Sequence, residues 1–375
     1  MILGLILDNV WIDAVIRMGI VGLLVAIGVI MLTWLERKVI GRLQARMGPM
    51  RVGPYGLLQG FADTIKLLTK EDLRPETADR WTFELAVYAV VIPTLMAAVA
   101  IPFTADLFIS HLPLGLFYIM AVSGLGIVGF VMAGWGSDNK YALLGGVRAA
   151  AQLISYEIPL VMSVLAVAMI AQSLDLPTIV AGQDDVPNVV YLPLGFFIFT
   201  IAGLAELYRQ PFDIPVAESE VVGGPSVEYS GIRWSMFQLG EFVSMVLISM
   251  LGSLIFLGGW NWPVSLVTDD VPVAAQVVLM LVKTFTFIIF FMWMRASLPR
   301  LRIDQMMAYC WQFLLPFAFL QIIINGLVLV YGWPNVIMTV LSGVSAAVAF
   351  YLTYRVARAQ GTRLTPGAQR VGSVL

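Results

Sequence analysis

Seven carboxylates, Glu157, Glu206, Asp213, Glu218, Glu220, Glu228 and Glu241, fall at the ends of apolar stretches or inside them, where few cations are near. A carboxylate at a membrane boundary is costly and marks an ion path or a paired network. Crowding of like charges and loss of water both raise a carboxylate's pKa. Several of these acids would then exchange protons near neutral pH, as a proton relay requires. The competing reading is that Arg148, Arg209 and Arg233 neutralise some of them and water solvates the rest. The relay reading is taken for Glu157, Glu206 and Glu241; for Glu228 both readings stay open.

A second constellation lies upstream. Glu36-Arg37-Lys38 closes the first apolar stretch, and Arg42 and Arg46, four apart, share a face if the helix persists to Gly48. Gly48-Pro49 and Gly53-Pro54 are turn signals. From Leu57 to Lys70 the spacing predicts an amphipathic helix. Gln59, Asp63, Lys66 and Lys70 form its polar stripe, and Leu57, Phe61, Ile65 and Leu68 its apolar one. Such a helix belongs in the membrane interface. Its polar stripe is either a solvated face over lipid or one wall of an amphiphile's path.

These residues must be positioned by membrane helices. The chain has 375 residues, 59% of them hydrophobic and 12% charged, with a mean hydropathy of +0.88. Soluble domains carry about 25% charged residues, so an ordinary water-soluble enzyme is excluded. A bilayer core needs roughly 20 mostly apolar residues per helix. Nine stretches qualify, near 12–35, 84–103, 115–135, 154–172, 190–208, 237–259, 276–296, 312–332 and 335–356. The expected fold is an all-α polytopic membrane protein, one integral membrane domain over 1–375 with an interfacial amphipathic helix. No repeat, no mid-membrane helix break and no appended soluble domain is expected. Asp8 and Asp13 stand where a cleavable signal peptide would carry basic residues.

Charge sets the expected orientation. Lys and Arg crowd the segments 36–82, 136–153, 208–236 and 297–309 and the C-terminal tail. The alternate loops 104–114, 173–189, 260–275 and 333–334 have none; only Arg17 and Lys283 break the pattern. By the positive-inside rule the charged loops face the cytoplasm and the N-terminus faces out. Lys283 either snorkels to the outer interface or takes part in a relay.

The inventory excludes other chemistry. One cysteine (Cys310) and one histidine (His111) cannot supply the four thiolates of an iron–sulfur cluster, a bis-His haem or a zinc site. Any redox metal or flavin therefore sits in another chain. A net charge of −2 gives no basic field for nucleic acid. No phosphate-binding Gly-x-x-x-x-Gly-Lys-Ser/Thr loop occurs.

Several motifs together resemble one family. They are Glu36-Arg37-Lys38, Gly41-Arg42-x-Gln44-x-Arg46-x-Gly48-Pro49, Val52-Gly53-Pro54 and Ala62-Asp63-x-x-Lys66-Leu67. Further along come Arg148-Ala149-x-Ala151-Gln152-x-x-Ser155-Tyr156-Glu157, Ala205-Glu206-x-x-Arg209-x-Pro211-Phe212-Asp213 and Ala217-Glu218-Ser219-Glu220. Glu228-Tyr229-Ser230-Gly231 and Arg295-Ala296-x-x-Pro299-Arg300-x-Arg302-x-Asp304-Gln305 complete the series. Over roughly residues 30–310 the chain resembles the H subunit family of proton-pumping NADH:quinone oxidoreductase, respiratory complex I.

The resemblance implies eight core spanning helices, so the ninth is a C-terminal addition. It implies a quinone path with Glu36, Arg37, Arg42, Arg46, Asp63 and Lys66 on its wall. It also implies a proton relay through Glu157, Glu206, Asp213, Glu218, Glu220 and Glu241. Quinone is the substrate and no cofactor is bound by this chain, FMN and iron–sulfur clusters residing in partner subunits. The partners implied are the soluble quinone-site and iron–sulfur subunits, small membrane subunits and antiporter-like subunits, in the cell (inner) membrane. Two positions depart from the family pattern. Val216 replaces a carboxylate of its Pro-Glu-Ala-Glu element, and Tyr208 replaces an Asn. The alternative is the homologous anchor of a membrane-bound hydrogenase or a ferredoxin- or coenzyme-linked complex without quinone, to be told apart by the co-purifying subunits. A stand-alone transporter would need inverted repeats or broken helices.

Overall fold

A computed structural model describes residues 10–105, 107–261 and 272–363. Asp8, the polar tail from 364 and most of the loop 260–275 lie outside the described residues. Among those described there is no strand. Each of the nine apolar stretches is a helix or a pair of helices. Among the described residues, seven are long and apolar enough to cross a membrane. These are α3 (Arg80–Val99), α4 and α5 together (Gly115–Ser123, Gly126–Gly136), α6 (Lys140–Ala171), α11 (Gly231–Phe256), α12 (Val273–Ser297), the segment Ile303–Tyr331 and α15 (Asn335–Arg363). The segment Ile303–Tyr331 is α13 (Ile303–Tyr309), a π-helical turn at Cys310–Leu314 and α14 (Leu315–Tyr331).

Two further helices complete the set. The helix α1 (Val10–Leu43) has 34 residues, so Asp13 lies inside it rather than ahead of it. The helix α9 (Pro193–Glu206) has 14 residues, about 21 Å at 1.5 Å per residue, and is preceded by the one-turn helix α8 (Asn188–Tyr191). The chain is an integral, multi-pass membrane protein. The amphipathic helix is α2 (Gln59–Thr69); Ile65 and Leu68 on it, and Leu58 just before it, are exposed.

Three expectations are corrected. The first helix stops at Leu43, and Ala45 adopts a left-handed φ of 55°, so Arg42 and Arg46 do not share a helical face. Instead the chain doubles back: the Arg46 amide donates to the Gly41 carbonyl at 2.8 Å. A Cβ on Gly41 would come within 3.0 Å of the Gly48 nitrogen, so this close return needs glycine. The stretch 115–135 is not one continuous helix but is interrupted between Ser123 and Gly126. The stretch 312–332 is also irregular, opening in a π turn.

Ion pairs gather the charged loops at one end of the bundle. Arg148 meets Glu220 at 2.6 Å, Arg300 meets Asp213 at 2.8 Å, and Arg233 meets Asp72 at 3.0 Å. Asn139 donates to Glu228 at 2.5 Å. At the other end the Lys283 ammonium donates to the carbonyls of Leu257 and Asn261, both at 2.6 Å. It satisfies backbone oxygens just past the end of α11, a cation at a helix C-terminus. His111 lies 3.5 Å from Asp175, which caps the short helix α7 (Leu176–Ala181).

Candidate functional site

Two cavities gather the candidate side chains. The first, of about 430 Å³, opens among Thr33, Glu36, Arg37, Ile40, Arg46, Met47, Gly48, Pro49, Arg209, Gln238, Glu241, Phe242 and Arg295. Its centre is Glu36, only 5% exposed, which accepts from Arg209 at 2.6 Å and is paired with Arg295 as well. One carboxylate thus faces two guanidiniums, leaving the group net positive. The Arg209 guanidinium also lies over the Phe242 ring, 4.8 Å from its centre. The doubled-back chain after α1 brings Arg46 to the rim, where its Nε donates to Gln44 at 2.8 Å. Outside, Arg37 meets Asp63 of α2 at 2.6 Å, and Gln59 donates to the same carboxylate at 3.0 Å. Burial pushes the Asp63 carboxyl up, but the Arg37 and Gln59 hydrogen bonds and the charges of Arg37 and Lys66 outweigh it, leaving it below the ordinary range.

The second cavity, of about 80 Å³, lies deeper. Glu157 of α6, Glu206 of α9 and Glu241 of α11 all line it, with Tyr208, Thr94, Ser123 and Ser244 among apolar side chains. A site holding a water needs roughly 10–15 Å³ by this measure and several polar partners, so several waters fit. One oxygen of Glu206 and the hydroxyl of Tyr208 are buried without a protein partner. At the helix interruption Glu157 packs against Gly124, where any Cβ would meet its carboxylate. Gln152, on the same helix as Glu157, is fully buried and donates to the carbonyls of Ala205 (2.7 Å) and Phe212 (2.8 Å). It ties the end of α9, and so Glu206, to α6. Glu241 lines both cavities.

A family profile described as NADH dehydrogenase matches residues 16–326. The chain belongs to the NADH dehydrogenase family. It is 42% identical over 346 residues to the H subunit of NADH-quinone oxidoreductase from Dehalococcoides mccartyi strain CBDB1, covering 92% of this chain and 95% of that protein. It is 48% identical over 306 residues to an H subunit of NADH-quinone oxidoreductase, the one numbered 2, from Rhizobium meliloti, covering 79% and 91%. With the H subunit of NADH-quinone oxidoreductase from Brevibacillus brevis the identity is 46% over 298 residues, covering 80% and 88%.

Within this NADH dehydrogenase family fold the sequence-predicted residues separate into groups. Glu36, Arg37 and Arg46 line the first cavity, whereas Asp63 and Lys66 stand one step behind, on α2. Arg42 is exposed and lines neither cavity. Of the acids expected in a relay, Glu157, Glu206 and Glu241 converge on one cavity. Asp213 is held by Arg300; burial pushes its carboxyl up, against the pull of Arg300 and Arg209. Glu218 and Glu220 are exposed, and Glu220 is paired with Arg148. Among the described residues the ion pairs therefore go to other carboxylates than the three that converge, although Glu241 shares the first cavity with Arg209 and Arg295. Sequence reasoning did not yield Arg295 and Gln238 as cavity residues. Arg295 carried a signal, a cation ending a spanning helix beside a motif, but its partner lies at the end of the first helix.

Proposed function

We propose that this chain is the membrane component of a proton-translocating NADH:quinone oxidoreductase that guides quinone to its reduction site and couples the reduction to a carboxylate relay. Family membership and the names of its relatives support the assembly. The arginine-rich cavity supports the quinone path, because a net positive, partly apolar chamber of this volume suits a polar head on an apolar tail. Arg37 and Asp63 fix α2 beside its mouth, with the apolar residues Ile65 and Leu68 free to meet lipid. The positive-inside pattern supports charged loops on the cytoplasmic side and the N-terminus outside. Electrons come from FMN and iron–sulfur clusters in partner subunits; this chain supplies surroundings and proton groups.

Reducing a quinone to a quinol consumes two protons. Groups facing the head sense that change in charge, and Glu241 is placed to pass it inward, since it belongs to both chambers. A proton leaving or reaching Glu241 alters the field at Glu206 and Glu157 in the second cavity. That shared residue is the observation on which the reading rests. The names of the relatives favour the quinone reading over the hydrogenase-type anchor.

The test is Glu241→Gln in the assembled complex, reconstituted in vesicles. The expected result is a fall in NADH-driven proton pumping of about a hundredfold, the scale of removing one acid–base group, with the complex intact on native gels. Pumping at the unmodified rate would overturn the proposal. Arg46→Ala tests the other chamber: the quinone concentration for half-maximal rate should rise.

A further inference from the structure

Tyr208 stands immediately beyond α9, two residues after Glu206, and is 6% exposed. Its backbone is left-handed, with φ 50°. That conformation is open to glycine and cheaper for Asn and Asp than for a bulky aromatic residue. The tyrosine is therefore held there against a conformational cost. A strained residue persists where its surroundings over-determine it, and such residues cluster at functional sites. Here the ring packs edge-on to Phe130, with centroids 4.9 Å apart, and lines the second cavity with Glu157, Glu206 and Glu241. Its hydroxyl is buried and has no protein partner. The phenol lies within electrostatic reach of Glu241 and Glu206. A buried hydroxyl without a partner costs about as much as a lost hydrogen bond, and it can both donate and accept.

We propose that the Tyr208 hydroxyl is a relay group of this chain, passing protons between Glu206 and Glu241 directly or through water in the cavity. The inference rests on the relay reading above. The exchange balances without a redox partner. The neutral phenol oxygen accepts a proton from one carboxyl as the phenol's own O–H bond breaks, its proton going to the other carboxylate. One glutamate gains a proton, the other loses one, and tyrosine ends neutral. The other polar and ionisable groups facing the hydroxyl's cavity are Thr94 of α3, Ser123 of α4, Glu157 of α6 and Ser244 of α11. Serine and threonine hydroxyls relay protons in the same way only where they touch the chain of water. Tyr208 has the further property of a buried hydroxyl without a protein partner in the cavity that Glu206 and Glu241 line.

The experiment compares Tyr208→Phe, Tyr208→Asn and Glu206→Gln in the full complex in vesicles. It reads NADH-driven pumping together with the amount of assembled complex. Phe keeps the ring and its contact with Phe130 and removes only the oxygen. Asn restores a polar group and suits the backbone. Tyr208→Phe should lower pumping about tenfold or more, with assembly unchanged, and Tyr208→Asn, whose amide does not pass a proton on, should not recover it. Full pumping by Tyr208→Phe alongside loss in Glu206→Gln would overturn the role of Tyr208 and leave the relay standing. Full pumping by Glu206→Gln would overturn the relay and this inference together. Loss of assembly in Tyr208→Phe with normal pumping per remaining complex would make the hydroxyl structural and also overturn it.

Discussion

Arg209 donates to Glu36 across 173 positions of sequence, at 2.6 Å, with both side chains almost fully buried. The nearer acid, Glu206, lies three residues away and is left free to face the second cavity. This choice of partner separates the two chambers. It fixes positive charge in the first and leaves Glu157, Glu206 and Glu241, which line the second, without a direct ion pair among the described residues.

Breaking a buried pair costs more than the pair contributes, because the stranded charge stays out of water. Glu36→Ala should therefore destabilise the complex by about 3–5 kcal/mol, since it strands both Arg209 and Arg295. Arg295→Ala should cost less, because the Arg295 side chain is 33% exposed and Glu36 keeps Arg209. Thermal stability of the purified complex, measured with both variants, checks the order. Equal losses would refute it.

The helices were legible because apolar runs of this length have one physical solution in a bilayer. Each of the nine stretches became a helix, and α2 begins and ends close to where its polar stripe does. The candidate acids were legible as a set for the same reason, since charge inside an apolar run stands out. Which acids meet was not. Glu218 and Glu220 follow the same motif as Asp213, yet they are exposed on the short helix α10 (Glu218–Val221). The pairing of Arg209 with Glu36, and of Arg300 with Asp213, depends on how distant helices pack. The end of α1 is not legible in the sequence, because Arg42 and Arg46 keep helical spacing. The left-handed turn at Ala45 and the tight Gly41–Gly48 approach override that local pattern.

Gly124 gives a test of the deeper cavity that leaves every carboxylate in place. A methyl group there would collide with the Glu157 carboxylate, the mobile end of a side chain, so Glu157 rather than the helices must move. Gly124→Ala should preserve assembly but reduce proton pumping several-fold, on the general ground that misplaced proton groups transfer poorly. Pumping assays on vesicles against the parent complex decide it. An unaffected rate would mean that the position of Glu157 does not matter.

Asp213 supplies a pH test. Burial pushes its carboxyl above the ordinary range, while Arg300 and, more weakly, Arg209 pull it back. Removing Arg300 takes away a lowering influence, so in Arg300→Gln the carboxyl should titrate at higher pH than in the parent. If the ionised form is required, the acid limb of the pH–activity profile must move to higher pH, and activity lost at low pH should return as pH rises. A profile displaced the other way would exclude Asp213 as the group titrating on that limb.

On the proposed quinone path, the contact between α1 and α2 should separate stability from substrate access. Arg37 is half exposed, with a side-chain accessibility of 52%, so its bridge to Asp63 should contribute only about 0.2–1 kcal/mol. Asp63→Asn keeps a polar group of the same shape and should leave thermal stability nearly unchanged. Yet the same bridge holds α2, with its exposed Ile65 and Leu68, beside the mouth of the arginine-lined cavity. Loosening it should raise the quinone concentration needed for half-maximal rate while changing the limiting rate little. Loss of uniform binding has that kinetic signature, whereas damage to the reacting centre lowers the limiting rate. Steady-state quinone titrations of Asp63→Asn in membranes distinguish the two. A lowered limiting rate at unchanged half-saturation would place Asp63 in proton delivery instead of on the quinone's path.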